Sequence, residues 1–505
     1  MKARLARISH QPSTAAAQWH ALTGVRSVGM LDVVSATPAR PSVANASHAA
    51  PLNHLATNAG EKSGLAFDIG FDQGNIRRAA GQPLHMLILS DFSGAGSHAD
   101  TTNGRPLRDL GIRRIDIDNF DRVLAAIAPS TTIDLNGVHE VLAFASLDDF
   151  DADAILRRSK LLQAATKAAT PAEVANQTAP GDDDEDRSNM LERLLGKAPD
   201  ASHSLGEALI ERIVTPYLDA PTPGTPTTTT DLTTQTSLRA VLHAPAFQTL
   251  EADWRALHWL ISQIESEEDA KCFLLDTPKQ ALASLFENDV HPLREKLMDA
   301  GALAEDGSGL SVMLGSYYVD ASDADYQLLD QAGAVAGSLG STFLTAASAA
   351  LMGHVDYAGA AASDWEPDEA AAERWRAFRR SASAKSIGLA LPRILLRLPY
   401  GKRGEALDAF DFEEMDATPR HQDYLWGNPV YALAISLLSK DDAKTIDDMP
   451  MHVYIEDDEK HIKPCAELWI SEASVHQLMQ LGFTPVASIR NQNAIRMFSP
   501  RVVAS

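Results

Sequence analysis

The sequence predicts a mixed α/β protein of more than one domain, and three observations support this. Its 505 residues exceed what one hydrophobic core ordinarily organises. Compact apolar runs that read as strands alternate with segments of helical period, above all between residues 270 and 350. Hydrophobic residues make up 45% and charged residues 22%, the usage of a chain that can bury a core.

Each element follows in order. Residues 1–62 are rich in Ala, Ser, Pro and Thr without sustained periodicity, which predicts a flexible tail. LAFDIGF, from Leu65, alternates apolar and polar positions, and LHMLILS ends at a DFSG turn; both read as strands. Asn103–Arg105 falls in a polar loop, RRIDIDNF gives a short strand and turn, and Asn119–Ala128 reads as a helix stopped by Pro129. VLAFAS is another strand, and LDDFDADAILRRSKLLQAA runs from acids to bases, the charge order a single helix dipole favours.

Thr170–Asn189 combines Pro, Gly and the acid run Asp182–Asp186, and reads as an exposed linker rather than a cation site. It separates a domain at 63–169 from a larger region at 190–505. Leu205–Tyr217 has helical pattern, whereas APTPGTPTTTTDLTTQT, with its prolines and threonines, predicts an extended connection. Phe247, Leu250, Trp254, Leu257, Leu260, Ile261 and Ile264 then form one helical stripe. KCFLLD, SVMLGSYYV and STFLTAA are strands, and the helix Asp323–Ser338 carries Gly333 and Gly337 where a neighbour can approach closely. MHVYIEDDEKHIKP forms a hairpin around Asp457–Lys460, Ser471 caps the helix SEASVHQLMQL, and Gly482 closes it. FTPVASI and AIRMFSPRVV are the last strands. A terminal strand needs a sheet edge to satisfy its backbone, and that edge can belong to another molecule. Ile495, Met497 and Val502 are therefore candidate positions of an inter-subunit strand.

Charge and chemistry narrow the function. Forty-four Lys and Arg against 68 Asp and Glu give a net charge of -24, which disfavours nucleic acid and anionic membranes as partners. Cys272 and Cys465 are too few for a disulfide framework or a cysteine zinc site, which fits a reducing cytoplasm. The N-terminus has no apolar run of signal-peptide length, and Gln331–His354 is too rich in Ala, Gly and Ser to favour a bilayer. Gly401-Lys402-Arg403 lacks the flanking residues of a phosphate loop, and Gly94-Ala95-Gly96 lacks the third glycine of a dinucleotide fingerprint. Asp116, Asp118 and Asp121 lack the glycine of a calcium loop, and neither HExxH nor GxSxG occurs. No catalytic, cofactor or metal site is expected, and the protein is read as a non-enzyme.

Several motifs occur in a telling order. The first half carries Asp91, Phe92, Ser93 and Gly94, then Asn119 and Phe120. The second carries Phe247, Trp254, Arg255, Leu257 and His258, then Pro392, Arg393, Leu398, Pro399 and Tyr400, then Leu425, Trp426, Gly427 and Asn428. The first set resembles the small subunit of the bacterial type VI secretion contractile sheath, and the second resembles its large subunit, here in one polypeptide. This resemblance implies a sheath-subunit fold whose terminal strands add to neighbouring sheets. It also implies a subunit that polymerises with copies of itself or with sheath paralogues around an inner tube of hexameric rings, stands on a baseplate, and stores the energy of contraction. An AAA+ unfoldase that dismantles the contracted sheath is the remaining implied partner. Two departures from the pattern stand out. The connection from Ala434 to Met449 lacks an Arg- and Gly-rich stretch, and fusion removes the free N-terminus of the large subunit. The first departure favours an alternative, a sheath-derived cap, adaptor or baseplate-associated accessory that builds no full tube.

Overall fold

Apolar residues that fall on both sides of a strand demand cover on both faces, and this requirement sets the architecture. The computed structural model describes residues 83–97, 111–168, 229–266, 270–287, 291–304, 309–354, 357, 368–438, 443–456 and 458–505. The expectations for the 1–62 tail, for LAFDIGF, Asn103–Arg105, the 170–189 linker and the Leu205–Tyr217 helix lie outside those residues.

The first half supplies β1 (Leu84–Ser90), β2 (Ile112–Ile115), α1 (Phe120–Ile127), β3 (Ser130–Leu135), β4 (Val138–Ala143), α2 (Ala152–Arg158) and α3 (Lys160–Ala168). After the break come α4 (Thr229–Leu242), α5 (Pro245–Ser262), β5 (Ala270–Asp276), α6 (Lys279–Glu287), α7 (His291–Asp299), β6 (Leu310–Val319) and α8 (Asp323–Ser338). β7 (Thr342–Ala347), α9 (Glu369–Arg379), β8 (Ile387–Leu391), β9 (Ile394–Leu395), β10 (Trp426–Gly427) and α10 (Val430–Leu438) follow. The chain closes with β11 (Ala443–Ile446), β12 (His452–Glu456), β13 (Glu459–Lys463), α11 (Glu472–Gln480), β14 (Phe483–Ser488) and β15 (Ile495–Phe498).

Nine strands form one sheet in the order β11-β15-β14-β8-β7-β6-β1-β5-β2. From β5 to β14 the neighbours are parallel, while β2, β15 and β11 are antiparallel to theirs. β1 lies between β5 and β6, with Leu84 opposite Ala270 and Leu87 opposite Met313. An interior strand of a sheet built mainly from the second half is thus supplied by the first.

Strand alternation splits the core into two layers. Met86, Ile88, Leu274 and Leu314 face a layer made by α1, α2, α4, α5 and α10. Leu87, Leu89, Phe273 and Met313 face the other, made by α6, α7, α8, α9 and α11. On that second side Gly333 lets α8 close on the Ser383 backbone, since a Cβ there would stand 2.4 Å from the Ser383 carbonyl oxygen. Trp375 stacks on Phe483 at 5.0 Å and 6°. Ser471 accepts from the Ser474 amide at 3.1 Å, and Gly482 follows α11 at φ +92°.

Three local expectations are corrected. The threonine-rich stretch predicted as extended is helical from Thr229, because Thr234, Leu238, Val241 and Leu242 are buried and Thr236 Oγ1 donates to the Leu232 carbonyl at 2.9 Å. β-branched residues cost only a few tenths of a kcal/mol each in a helix, about 0.5, and tertiary packing offsets that. The single helix expected over 147–165 is a 3-10 turn followed by two helices that break at Ser159. The cause is Glu140 on β4. Its carboxylate accepts from Ser159 Oγ at 2.6 Å and from the Lys160 and Leu161 amides at 2.9 and 3.1 Å, seating itself at the α3 N-terminus. VLAFAS is shifted: β4 begins at Val138 and pairs with β3, a strand whose STTIDL sequence the reading passed over.

Candidate functional site

The residues that carry the family motifs converge on the seam between the two halves. α5 is an apolar stripe that begins with Pro at N1, and Trp254 on it is fully buried. Its Nε1 donates to the Phe92 carbonyl at 3.0 Å, its ring meets Phe92 at 5.2 Å and Phe120 at 5.7 Å, and Phe120 reaches His258 at 5.0 Å. Phe247, one turn ahead of Leu250, joins the stacked pair Phe144 and Phe150. Leu257 is buried in the same layer.

Short polar contacts hold the turn after β1. Gly94 sits at φ +74°, and a Cβ there would lie 2.3 Å from the Ser130 carbonyl oxygen. The Ser93 amide donates to Asp276 at 2.9 Å, and the Gly96 amide to Asp91 Oδ2 at 2.8 Å. Asn119 and Asp116 exchange amide-to-side-chain bonds at 3.3 and 3.0 Å, which shapes the turn into α1. These acids serve the backbone.

Beside the apolar seam runs a buried charge network. Glu251 Oε1 accepts from Arg255 Nε at 2.7 Å and Arg397 Nε at 2.8 Å, and Arg255 reaches back to Asp151 in the first half at 2.7 Å. Arg397 also donates to Glu414 Oε2 at 2.7 Å, and its guanidinium lies 4.3 Å above the Tyr400 ring. Glu414 accepts the Tyr400 amide at 2.8 Å. Burial pushes Glu414 up, but Arg397, His243 and that amide outweigh it and bring the carboxyl down to about 2. Burial likewise opposes the Arg397 charge, and Glu251 and Glu414 more than restore it.

Asp253, next to Trp254, has no cation within ion-pair distance among the described residues. Ser90 Oγ and Ser316 Oγ each donate to it at 2.5 Å, bridging β1 and β6. Burial, with Asp91 adding to it, pushes this carboxyl up to about 7.

The 392–428 segment braces the seam from outside. Pro392, Pro399 and Leu425 are buried and Leu398 half-buried. Arg393 grips the buried Glu467 with two nitrogens and lies 5.8 Å from the Trp426 ring centre. Gly427 packs its backbone on Leu396, where a Cβ would stand 2.6 Å from that side chain. Asn428 donates to the Tyr317 carbonyl at 3.0 Å and accepts from the Val430 amide at 3.0 Å, tying the segment to β6.

The candidate inter-subunit strand lies elsewhere. Ile495 and Met497 are buried on β15, which pairs with β14 on one side and β11 on the other, all within this chain. Val502 is half-buried outside any strand. In the single molecule β15 has no unmet edge, because the short AKTI strand that sequence reading missed occupies it. The last strand in the sheet order is β11. Sequence reading also missed Glu251, Arg397 and Glu414; the spacing of Glu251 and Arg255 by four on a helix was the one available signal.

Among the described residues no group of His, Cys, Asp and Glu is arranged to hold a metal ion, and no helix is long and apolar enough to cross a membrane. The seam joins strands and helices of both halves around one sheet. Residues 227–504 match the family model described as EvpB/VC_A0108, tail sheath N-terminal domain, and the chain belongs to that family. Residues 68–209 match a second model, Type VI secretion system, VipA, VC_A0107 or Hcp2. The chain is also similar to the type VI secretion system sheath protein TssC1 of Pseudomonas aeruginosa, at 28% identity over 294 residues. That match covers 52% of this chain and 56% of the relative, so the chain spans about half the length of the curated relative it matches.

Proposed function

We propose that this protein is a structural subunit of a bacterial type VI secretion contractile sheath, in which one chain does the work of a small and a large subunit. The observation that carries the reading is β1: a strand from the region matching the small-subunit model is hydrogen-bonded on both sides by strands from the region matching the large-subunit model. The 63–169 and 190–505 regions act as the two sheath modules, and 170–189 joins them. Copies assemble in the cytoplasm around an inner tube of hexameric rings and on a baseplate, and an AAA+ unfoldase recycles the contracted form. No enzymatic step is part of this role.

Assembly uses strand addition at the C-terminal side of the sheet, where β14, β15 and β11 lie together. With Ile495 and Met497 already paired, the incoming strand docks on β11 or displaces it from β15. Electron microscopy of the purified protein tests the reading: long hollow tubes are expected, and discrete small particles over a wide range of concentration and salt would overturn it. Thr445→Pro, at an exposed position of β11, is expected to abolish tubes while leaving a folded monomer.

A further inference from the structure

The β12–β13 hairpin stands outside the main sheet and carries a relay that the sheath role does not use. Lys463, at the end of β13, places its Nζ 3.0 Å from His421 Nδ1, and His421 Nε2 lies 2.6 Å from Glu467 Oε1. For Nδ1 to accept from lysine, the imidazole must carry its proton on Nε2 and donate it to Glu467. Glu467 is buried and is fixed further by Arg393 Nε at 2.9 Å.

The amine itself has no carboxylate partner within ion-pair distance among the described residues. Its neighbours are His421, the Tyr424 ring 5.2 Å away, and His452 across the hairpin, whose Nδ1 bonds the Tyr424 hydroxyl at 2.8 Å. Burial, with Arg403 and Lys463 acting in the same direction, pushes His452 down to about 4 and keeps it neutral near pH 7. Arg403 acts on His452, whereas Arg393 is bound to Glu467. Lysine in such a setting gives up its proton more readily than an exposed one, and burial lowers Lys463 against the opposing pull of Glu467.

We propose that Lys463 is a reactive amine and an acylation site for small anionic acyl phosphates, with His421 as its proton acceptor and Glu467 as the residue that positions His421. The ammonium passes one proton to His421 Nδ1, and the freed lone pair attacks the acyl carbon. The new bond is C–N; the C–O bond to phosphate breaks, and phosphate leaves with its electron pair and the second amine proton. The product is a neutral amide, so the modification removes a positive charge from the face of Tyr424.

The full-length protein treated with acetyl phosphate, with each lysine followed by mass spectrometry, tests this. Lys463 is expected to be labelled several-fold faster than Lys460 on the same hairpin near neutral pH, because burial lowers it and His421 stands 3.0 Å away to take its proton. The ratio should fall towards one near pH ~10, where exposed lysines also lose their protons. His421→Gln should bring Lys463 down to the Lys460 rate without changing Lys460. Equal wild-type rates at neutral pH would overturn the proposal, and this readout decides the matter even if the variant fails to fold. Selective labelling by the uncharged N-hydroxysuccinimidyl acetate but not by acetyl phosphate would overturn the assignment of acyl phosphates as the donor class.

Discussion

The two faces of the central sheet solve the same burial problem by different means. The face under α6, α7, α8, α9 and α11 is mainly apolar, closed by the Trp375 and Phe483 stack and by the approach of Gly333 to Ser383, and its buried Asp325 pairs with Lys279. Nearly all of it comes from the second half, in strand-helix order. The face under α1, α2, α4, α5 and α10 joins both halves and buries Glu251, Asp253, Arg397 and Glu414. An apolar surface accepts many partners, whereas a buried ion accepts only one that completes its bonds. The network itself lies within the second half, from Glu251 through Arg397 to Glu414, and Arg255 carries it across to Asp151 of the first.

Substitutions can break or sharpen that contrast. The largest effect is expected from Arg397→Met, which leaves the buried Glu251 to Arg255 alone and Glu414 to His243 and the Tyr400 amide. Urea unfolding should show a loss of about 3–5 kcal/mol, and a value near zero would mean the network is incidental. Next comes Asp253, whose folded carboxyl sits near 7, above its unfolded value. Its favourable contribution is complete below the unfolded value and is lost as pH rises through about 7. Asp253→Asn should therefore flatten the fall in unfolding free energy between about pH 4 and 8, by about 4 kcal/mol, as read from urea unfolding at each pH. Glu414 has the opposite sign: its contribution is present above its unfolded value and fades as pH falls towards about 2.

On the apolar face Gly333→Ala should cost about 1–3 kcal/mol through overpacking against Ser383, with no pH dependence. The smallest change is Trp254→Phe, which keeps most of the ring contact but removes the donor to the Phe92 carbonyl, at about 1–2 kcal/mol. If this variant proved as damaging as Arg397→Met, the aromatic contact rather than the ions would define the seam.

The apolar face was the more legible of the two. β5, β6, α8 and β7 follow one another with clear periods, and Gly333 announced a close approach before its neighbour was known. α5 was also legible as a stripe, and Trp254 as an anchor, but not its bond to Phe92, which joins distant stretches of chain. Arg255 and Tyr400 were noticed through family likeness, while Arg397 and Glu414 between and beyond them looked like ordinary surface charges, because pairing depends on a fold that brings Glu251 to them. The threonines of α4 misled for a related reason: local propensity disfavours the helix that its buried Leu238 and Leu242 require. Glu140 broke a helix it does not belong to, which no local pattern announces.

The position of β1 has a consequence for synthesis. A ribosome delivers this interior strand long before the strands that flank it, since Leu84 emerges first and its partner Ala270 only after α5 is complete. Until then Leu87, Ile88 and Leu89 have neither β5 nor β6 to pair with. Placing an early strand between later ones therefore leaves an unpaired apolar edge open for as long as α5, β5 and β6 take to follow.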